Sequence, residues 1–556
     1  MNKISVARFI VKKLESWKIK DVPIFQGGAI MNVLSEIGKS KKIKYYCPYH
    51  EQALAMAVDA YSRLNGLGVG FVTSGPGATN LLTGVACSYY DSVPAIFFSG
   101  QVGQFHITGD RKVRQRGFQE SDIVSIFRPV TKFSYQVKNA EEIEFILEKA
   151  KHIATSGRPG PVLIDLPFNI QKRLINPKYL RKFKAEIKKK NEDKKIRSIE
   201  KLINKAKKPL LIAGGGIRIA DQIKKFRNLI DKKNLPFITT WPAQDITNSN
   251  NRLYFGSVGR HANLSASNLA KKSDLIITFG VRFSPKIATK YFGQNAKIIS
   301  IDIDRNELNQ GLVNPNLKLN LDLKEFFKKF KLNKVNKFNN ENWINECIYQ
   351  KKKYFKNFDE MKNSNKNKFV NPYSFVDALS ERSPDNAILL TDAGCNLTYF
   401  MQAFKSKNKQ RIISAWGNSP MGYSVAAGIG AKIAQKNKLV ISCIGDGSFL
   451  MNLQELQFLK ENDTKLKIIV FDNKIYGNTK IGCEVYKIKN VGNDASSGYF
   501  PPNVKEISKS FNIKYFYLKS NKSQNEILKK FLKINGNGIL HINIHPDHPL
   551  IEHQNI

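Results

Sequence analysis

Two side chains in the last third of the chain are spaced to hold a hard cation. The apolar run KLVISCI ends at Gly445-Asp446-Gly447. Taken alone, that Asp-Gly pair is an ordinary strand-end turn. The 25 residues after Gly447 fill one helix (LMNLQELQFLKEN) and one strand (LKIIVFD), and Asn473 then ends the second strand. Asp446 and Asn473 therefore project oxygen ligands from neighbouring strand ends into one place, as a cation bridging a diphosphate requires, and Mg2+ with a diphosphate is the leading reading. Near the other end of the chain Glu51 follows a short strand, 44–46, and begins a helix, where a carboxylate also suits the positive end of the helix dipole.

The elements that must position these residues repeat along the chain. Short β-branched runs (GVGFVTSG, SVPAIFFSG, GPVLIDLP; DLIITFGV, AKIISIDID; AILLTDAG, KLVISCIGDG, LKIIVFDN) alternate with amphipathic helical stretches. That alternation predicts an α/β fold of doubly wound parallel sheets covered by helices on both faces. Ligands in such folds gather at the carboxyl ends of the strands, where Gly-rich turns let backbone N–H groups approach a phosphate. Two Lys/Asn-rich stretches, Lys182 to Arg197 and about 324 to 368, punctuate the pattern. They divide the chain into three domains, at 1–180, 196–330 and 370–545, and the first and third share a plan without sequence repetition.

Composition narrows the function classes. The 556 residues carry 89 Lys+Arg against 46 Asp+Glu, a formal charge of +43, with 42% hydrophobic side chains, so neither disorder nor a disulfide-stapled miniature is expected. The six cysteines (47, 87, 347, 395, 443, 483) show no CxxC or metal-ligand spacing and read as free thiols in a reducing cytoplasm. The positive charge suggests nucleic acid, but the lysines are spread over the whole chain and no nucleic-acid module surrounds them. They read as a solvated surface. The longest uncharged stretch, Leu64 to Tyr90, contains six Gly and one Pro, which a membrane-spanning helix would not use, and the N-terminus has no apolar signal region. Neither nucleic acid nor a membrane is an expected partner.

The Gly445-Asp446-Gly447, helix, strand, Asn473 arrangement resembles the cofactor motif of thiamine diphosphate-dependent enzymes. Other segments resemble the same family independently: CPYHEQALAMAVDAYSRLNG with its Glu, GVGFVTSGPGATNLLTGVACSYYDSVPAIFFSGQ, and GRPGPVLIDLPFNIQ. Within the superfamily the resemblance is to acetohydroxyacid (acetolactate) synthases and their carboligase relatives. It implies a pyrimidine-binding first domain, a central domain of FAD-binding type and a diphosphate-binding third domain. By resemblance Glu51 bonds the aminopyrimidine ring and promotes the tautomer whose nitrogen takes the thiazolium C2 proton, with Pro76 and Asn80 on the same side. Met421, in SAWGNSPMGYSVAAGIGA, matches the bulky wedge under the cofactor, beside Ser419, where relatives often have Gly. Gly394, Cys395 and Asn396 resemble a diphosphate-cradling turn, although synthases often have Gln-His at the last two. Gly445, Asp446, Gly447 and Ser448 form the other side of that cradle, and Asn473 with the Ile475 carbonyl completes the Mg2+ shell.

On the substrate side, the Gly27-Gly28-Ala29 and Gly117-Phe118-Gln119-Glu120 segments resemble those that approach the thiazolium from a partner subunit, so Gly28, Phe118 and Gln119 join the catalytic set. Arg111, Arg114 and Arg116 are candidates for gripping a carboxylate or phosphate. Gly214-Gly215-Gly216, GSVGRHAN, FGVRFS and IDID resemble the FAD-binding domain of the synthases, where Arg158 and Arg282 face the dinucleotide and FAD is structural. Synthases that favour 2-ketobutyrate carry a Trp some nine residues beyond the metal Asn, where this chain has Gly482. The expected activity is decarboxylation of pyruvate and transfer of the hydroxyethyl unit to a second 2-keto acid. The alternatives are a carboligase acting on another acceptor such as a keto-sugar, a pyruvate oxidase or decarboxylase, and a non-enzymatic binding protein. A homodimer or tetramer is expected, and a regulatory subunit is left open.

Overall fold

The computed structural model describes residues 3–185, 192–288, 291–363 and 368–551. Parts of both Lys/Asn-rich stretches, 186–191 and 364–367, lie outside the described residues. Three parallel sheets follow one another along the chain. The first is built from Asp21–Pro23, Lys44–Tyr46, Gly68–Val72, Ala95–Gln101, Phe133–Gln136 and Pro161–Pro167. Its first two strands join the other four through the Ile24–Phe71 bridge, and across the sheet the strands run second, first, third, fourth, sixth, fifth. The last sheet, built from Ile388–Thr391, Arg411–Ile413, Val440–Gly445, Lys467–Asp472, Lys514–Leu518 and Gly538–Asn543, has the same order. The central sheet, Pro209–Ala213, Phe237–Thr239, Tyr254–Ser257, Leu275–Phe279, Lys297–Asp302 and Leu317–Asn320, runs third, second, first, fourth, fifth, sixth, the order of dinucleotide-binding sheets.

These strands are buried on both faces, which is why VISCIG and PLLIA read as continuous apolar runs and not as alternating ones. Strand order then decides where a ligand can enter. In each sheet the crossover helices leave two adjacent strands in opposite directions at one point, and a crevice opens there beyond the carboxyl ends. In the first sheet that point lies between Asp21–Pro23 and Gly68–Val72, so Gly28 and the Gly75-Pro76 turn flank it. In the last sheet it lies between Ile388–Thr391 and Val440–Gly445, flanked by Gly394 and Gly445-Asp446. In the central sheet it lies between Pro209–Ala213 and Leu275–Phe279, flanked by Gly214 and Arg282.

The outer domains pack directly on each other. Helix Glu51–Asn65 lies along helix Tyr423–Ala434, so close that a Cβ on Gly430 would collide with the Ala57 carbonyl. One apolar cluster runs through both, from Ala53, Met56 and Ala60 to Val425, Ala427 and Ile429. Among the described residues no helix is long and apolar enough to cross a membrane, and the six cysteines are free.

Candidate active site

The first domain brings its predicted residues together at the strand ends. His50 precedes helix Glu51–Asn65 and its Nδ1 accepts the Gln52 N–H at 3.0 Å, a cap that fixes where the helix begins and therefore where Glu51 points. Glu51 is 6% exposed, and its Oε2 accepts a hydrogen bond from Asn80 Nδ2 at 3.0 Å. Pro76 opens the short helix Pro76–Thr79 that carries Asn80 at its end. Gly75, at φ 54°, passes so close to Gln119 that a Cβ there would lie 2.6 Å from the Gln119 carbonyl oxygen. Gln119 has its own backbone at φ 61°. Burial pushes the neighbouring Glu120 carboxyl up, but Thr108 and the N–H groups of Arg116 and Gly117 outweigh it and hold the group below its ordinary value. Glu120 thus ties the 107–117 loop, with its exposed arginines, to the turn bearing Gln119. Phe118 on that turn is 85% exposed, and Gly28 is exposed on the opposite lip.

The third domain gathers the second set. Asp446, at the start of the short helix Asp446–Leu450, is buried, and its Oδ2 accepts the Tyr499 hydroxyl at 2.9 Å. Burial, reinforced by the nearby Asp472 charge, pushes the Asp446 carboxyl up to about 7. Asn473 directly follows the adjacent strand, Lys467–Asp472, and Lys474 at φ 61° turns the chain there before Ile475. Asn396 Nδ2 donates to the Asp392 carbonyl at 3.1 Å, while its Oδ1 faces both Gly394 and Gly445. Cys395 donates to Asn478 Oδ1 at 3.1 Å. Ser448, expected in the diphosphate cradle, directs its side chain to the Asp392 carboxylate.

Asp392 lies in the turn that the sequence offers as a diphosphate cradle, Thr391 to Asn396, but sequence reasoning gave it no role of its own. It is fully buried and accepts the N–H groups of Ala393 (2.9 Å), Gly422 (3.1 Å) and Ser424 (2.7 Å), so it fixes the backbone on either side of Met421. Burial pushes its carboxyl up to about 6 despite those donors. Its signal was a lone Asp at a strand end, in TDAG, facing a Gly-containing helix start. Tyr499 and Glu455 were also missed; Glu455 is buried and accepts the Tyr49 N–H at 2.9 Å, just ahead of Glu51. Ser419 adopts φ 49°, which non-glycine residues occupy at a cost of about 1–2 kcal/mol. Ser419→Gly is therefore expected to raise the free energy of unfolding by about 0.5–1 kcal/mol once the extra freedom of the unfolded chain is subtracted, as read by urea titration.

These two sets suit a diphosphate and its cation. Gly394, Cys395 and Asn396 open one helix and Asp446 opens another, so free N–H groups face the same crevice. Asp446 has no ion-pair partner among the described residues, and no group of three or more His, Cys, Asp or Glu side chains is placed to hold a metal unaided. An Asp, an Asn and a carbonyl make a hard, incomplete oxygen shell that phosphate oxygens would complete. Among the described residues no hydrogen bond or ion pair joins Glu51, Asn80 or Gln119 directly to Asp446, Asn473 or Asn396, and the Tyr49–Glu455 bond is the near link between the two sets.

A cavity of about 860 Å³ opens where the three domains meet. Gly215, Gly216, Arg158, Arg282 and Ser419 line it, as do Arg218 and Asp302. That is room for a dinucleotide-sized ligand. Gly214, expected to contact such a ligand, is turned away: a Cβ there would collide with the Gly280 carbonyl, so this glycine permits two loops to touch. Arg158 reaches the cavity with its guanidinium already held by Asp304 at 3.0 Å and Glu307 at 2.6 Å. Arg282 is exposed on the wall without an ion pair among the described residues.

Comparison with known proteins agrees with this layout. Three stretches match the thiamine pyrophosphate enzyme family: its N-terminal TPP binding domain over residues 4–126, its central domain over 196–330 and its C-terminal TPP binding domain over 392–544. The chain is similar to the acetolactate synthase large subunit of Lactococcus lactis, at 30% identity over 534 residues, covering 94% of this chain and 90% of that one. It is also similar to the probable acetolactate synthase large subunit of Methanocaldococcus jannaschii, at 33% over 564 residues (97% and 92%). The chloroplastic acetolactate synthase of Arabidopsis thaliana matches at 32% over 490 residues (85% and 70%).

Proposed function

The chain belongs to the thiamine pyrophosphate enzyme family, as a transferase of the acetolactate synthase type, and from that premise we propose that it decarboxylates pyruvate and joins the two-carbon unit to a second 2-keto acid. The observation that carries the reading is the buried Glu51 carboxylate, partnered by the neutral amide of Asn80 on a crevice lip shared with Gln119. Thiamine diphosphate, when bound, supplies the electron sink that decarboxylation of a 2-keto acid requires. Gly394, Asn396 and Gly445 would hold its diphosphate, and Asp446, Asn473 and the Ile475 carbonyl would hold Mg2+. Glu51 would hold a proton at the aminopyrimidine ring nitrogen, and Met421 would support the cofactor from beneath. Phe118 and Gln119 would shield the reacting carbon from water, and Gly28 leaves room beside it. FAD is proposed for the central cavity, against Gly215, Gly216 and Arg282, in a structural role; flavin absorbance of the purified protein reads it directly.

The active unit is proposed to be at least a homodimer. Among the described residues of one chain the Glu51 and Asp446 side chains share no hydrogen bond, and both are fringed by uncovered apolar side chains: Phe118 at 85% exposure on one side, Tyr486 at 71% and Phe500 at 72% on the other. The large-subunit names of two relatives extend to this chain the expectation of a smaller regulatory partner. Mixing inactive Glu51→Gln protein with inactive Asp446→Ala protein is expected to restore part of the activity through hybrid dimers; subunit exchange with no recovered activity would exclude a shared site.

Incubation with labelled pyruvate, thiamine diphosphate and Mg2+, alone and with other acceptors, tests the proposal. Acetolactate from pyruvate alone is expected. Oxygen uptake with pyruvate would point to an oxidase instead. A second reading, transfer to a bulkier acceptor such as a keto-sugar, is favoured by Gly482 in helix Gly477–Tyr486, where a Cβ would meet nothing within 4 Å. With no indole at that wall, the enzyme should prefer 2-ketobutyrate over pyruvate only weakly. Gly482→Trp is expected to raise that preference about ten- to two-hundredfold, the worth of roughly 1–3 kcal/mol of contact with one methylene, or to block a bulky acceptor while sparing decarboxylation. Strong 2-ketobutyrate preference in the unmodified enzyme, in a competition assay, would place the selective wall elsewhere.

A further inference from the structure

Residues 414–422 join strand Arg411–Ile413 to helix Tyr423–Ala434 and carry Ser419 and Met421. Three buried carboxylates grip this segment. Asp392, from the same domain, takes the N–H groups of Gly422 and Ser424. The other two come from the N-terminal domain. Asp91 accepts the Trp416 N–H on Oδ2 and the Gly417 N–H on Oδ1, both at 2.8 Å. Asp59 Oδ1 accepts the Tyr423 hydroxyl at 2.5 Å, and its Oδ2 accepts Ser88 Oγ at 2.9 Å. Arg63 stands between the two, with Nε 2.7 Å from Asp59 Oδ1 and Nη2 2.7 Å from Asp91 Oδ2. Asn418 adds a hydrogen bond to the Thr83 carbonyl at 3.3 Å.

A charge cluster buried this deeply is a poor source of net stability, because desolvation offsets most of its attraction and apolar side chains would fill the space as well. What it does supply is direction. One guanidinium fixes two carboxylates, which in turn fix the backbone before Met421 and the side chain after it. We propose that Asp91 and Asp59, locked by Arg63, are positioning residues that set the height and angle of the Met421 support for thiamine diphosphate in their own chain. The proposal rests on the cofactor reading above. Helix Glu51–Asn65 then has two duties: Glu51 acts at its first turn, while Asp59 and Arg63, about 12 Å and 18 Å further along the axis, steady the loop of another domain.

Asp91→Asn tests this, since an amide cannot accept both N–H groups and still face Arg63 as a carboxylate does. In the cofactor-free protein, amide exchange at Trp416 and Gly417 is expected to quicken by about tenfold or more, because their acceptor is weakened. In the holoenzyme, exchange of the C2 proton of bound thiamine diphosphate is expected to slow by about a hundredfold, the scale of a 1 Å misplacement. Affinity for thiamine diphosphate should change by less than about threefold, since the Gly445–Asn473 region that holds the diphosphate is untouched. Tyr423→Phe removes only the bond to Asp59, keeps the ring in the core, and should give the same pattern at smaller size even if Asp91→Asn does not fold. The proposal is overturned if the two amides stay protected in Asp91→Asn, if C2 exchange keeps its wild-type rate in both variants, or if affinity and C2 exchange fall together as in a general loosening. Failure of the unmodified protein to bind thiamine diphosphate overturns the cofactor reading instead, and amide exchange alone then judges the clamp.

Discussion

Glu51→Gln is expected to slow C2 proton exchange of bound thiamine diphosphate by on the order of 10²–10⁴-fold, the usual worth of a positioned acid–base group. The substitution is a clean one in this setting. Asn80 Nδ2 donates to Glu51 Oε2, and a glutamine oxygen in the same place can still accept that bond, so the crevice keeps its shape and the melting temperature should barely move. What the amide cannot do is carry the charge that stabilises a proton on the ring nitrogen. Cofactor affinity should stay close to wild type, because the diphosphate is held by the other domain. Proton exchange followed by NMR decides the point: a wild-type rate in the variant would remove Glu51 from its assigned role.

Asp446→Ala and Asn473→Ala are each expected to reduce Mg2+-dependent affinity for thiamine diphosphate by on the order of a hundredfold, at or above what loss of an outer partner costs a metal site. The two residues end neighbouring parallel strands, paired in register from Ile441–Lys467 to Gly445–Phe471. Ligands to one ion act as a unit, so the double variant should lose little more than either single one. Among the described residues Asp446 has only the Tyr499 hydroxyl as a side-chain partner, and burial with the nearby Asp472 charge pushes its carboxyl up to about 7, so the carboxylate form is poorly compensated until a cation is bound beside it. Cofactor titration with and without Mg2+ measures both effects. Additive losses that persist without the metal would separate the two residues and break up the proposed shell.

The parts of the site that were legible in the sequence are those whose geometry is local. A strand, a crossover helix and a second strand put Asp446 and Asn473 side by side whatever surrounds them, because a parallel crossover brings consecutive strand ends to one edge. Glu51 was legible for a similar reason: a helix start after a short strand is set within a few residues, and the His50 cap confirms where it falls. The fully buried strands were legible as unbroken apolar runs. The outer domains were legible as sharing a plan, but the order of their strands was not, because neighbours in a sheet are chosen by packing and not by position along the chain.

Three of the expected site residues meet protein partners that lie far away in the chain. Ser448 is engaged by Asp392, Arg158 is engaged by Asp304 and Glu307, and Gly214 yields to the Gly280 loop. In each case the residue type was suited to a ligand, but a nearer protein group satisfies it first. By itself the sequence determined the fold class and the places of Glu51 at a helix start and of Asp446 and Asn473 just beyond neighbouring strands, since hydrophobic period and strand-end spacing act over a few dozen residues. Only the tertiary structure decided that Asp392, Asp59 and Asp91 converge on the Met421 loop, with Asp91 and Trp416 separated by 325 positions. A carboxylate's partner is chosen by proximity after folding, and chain spacing carries no record of it.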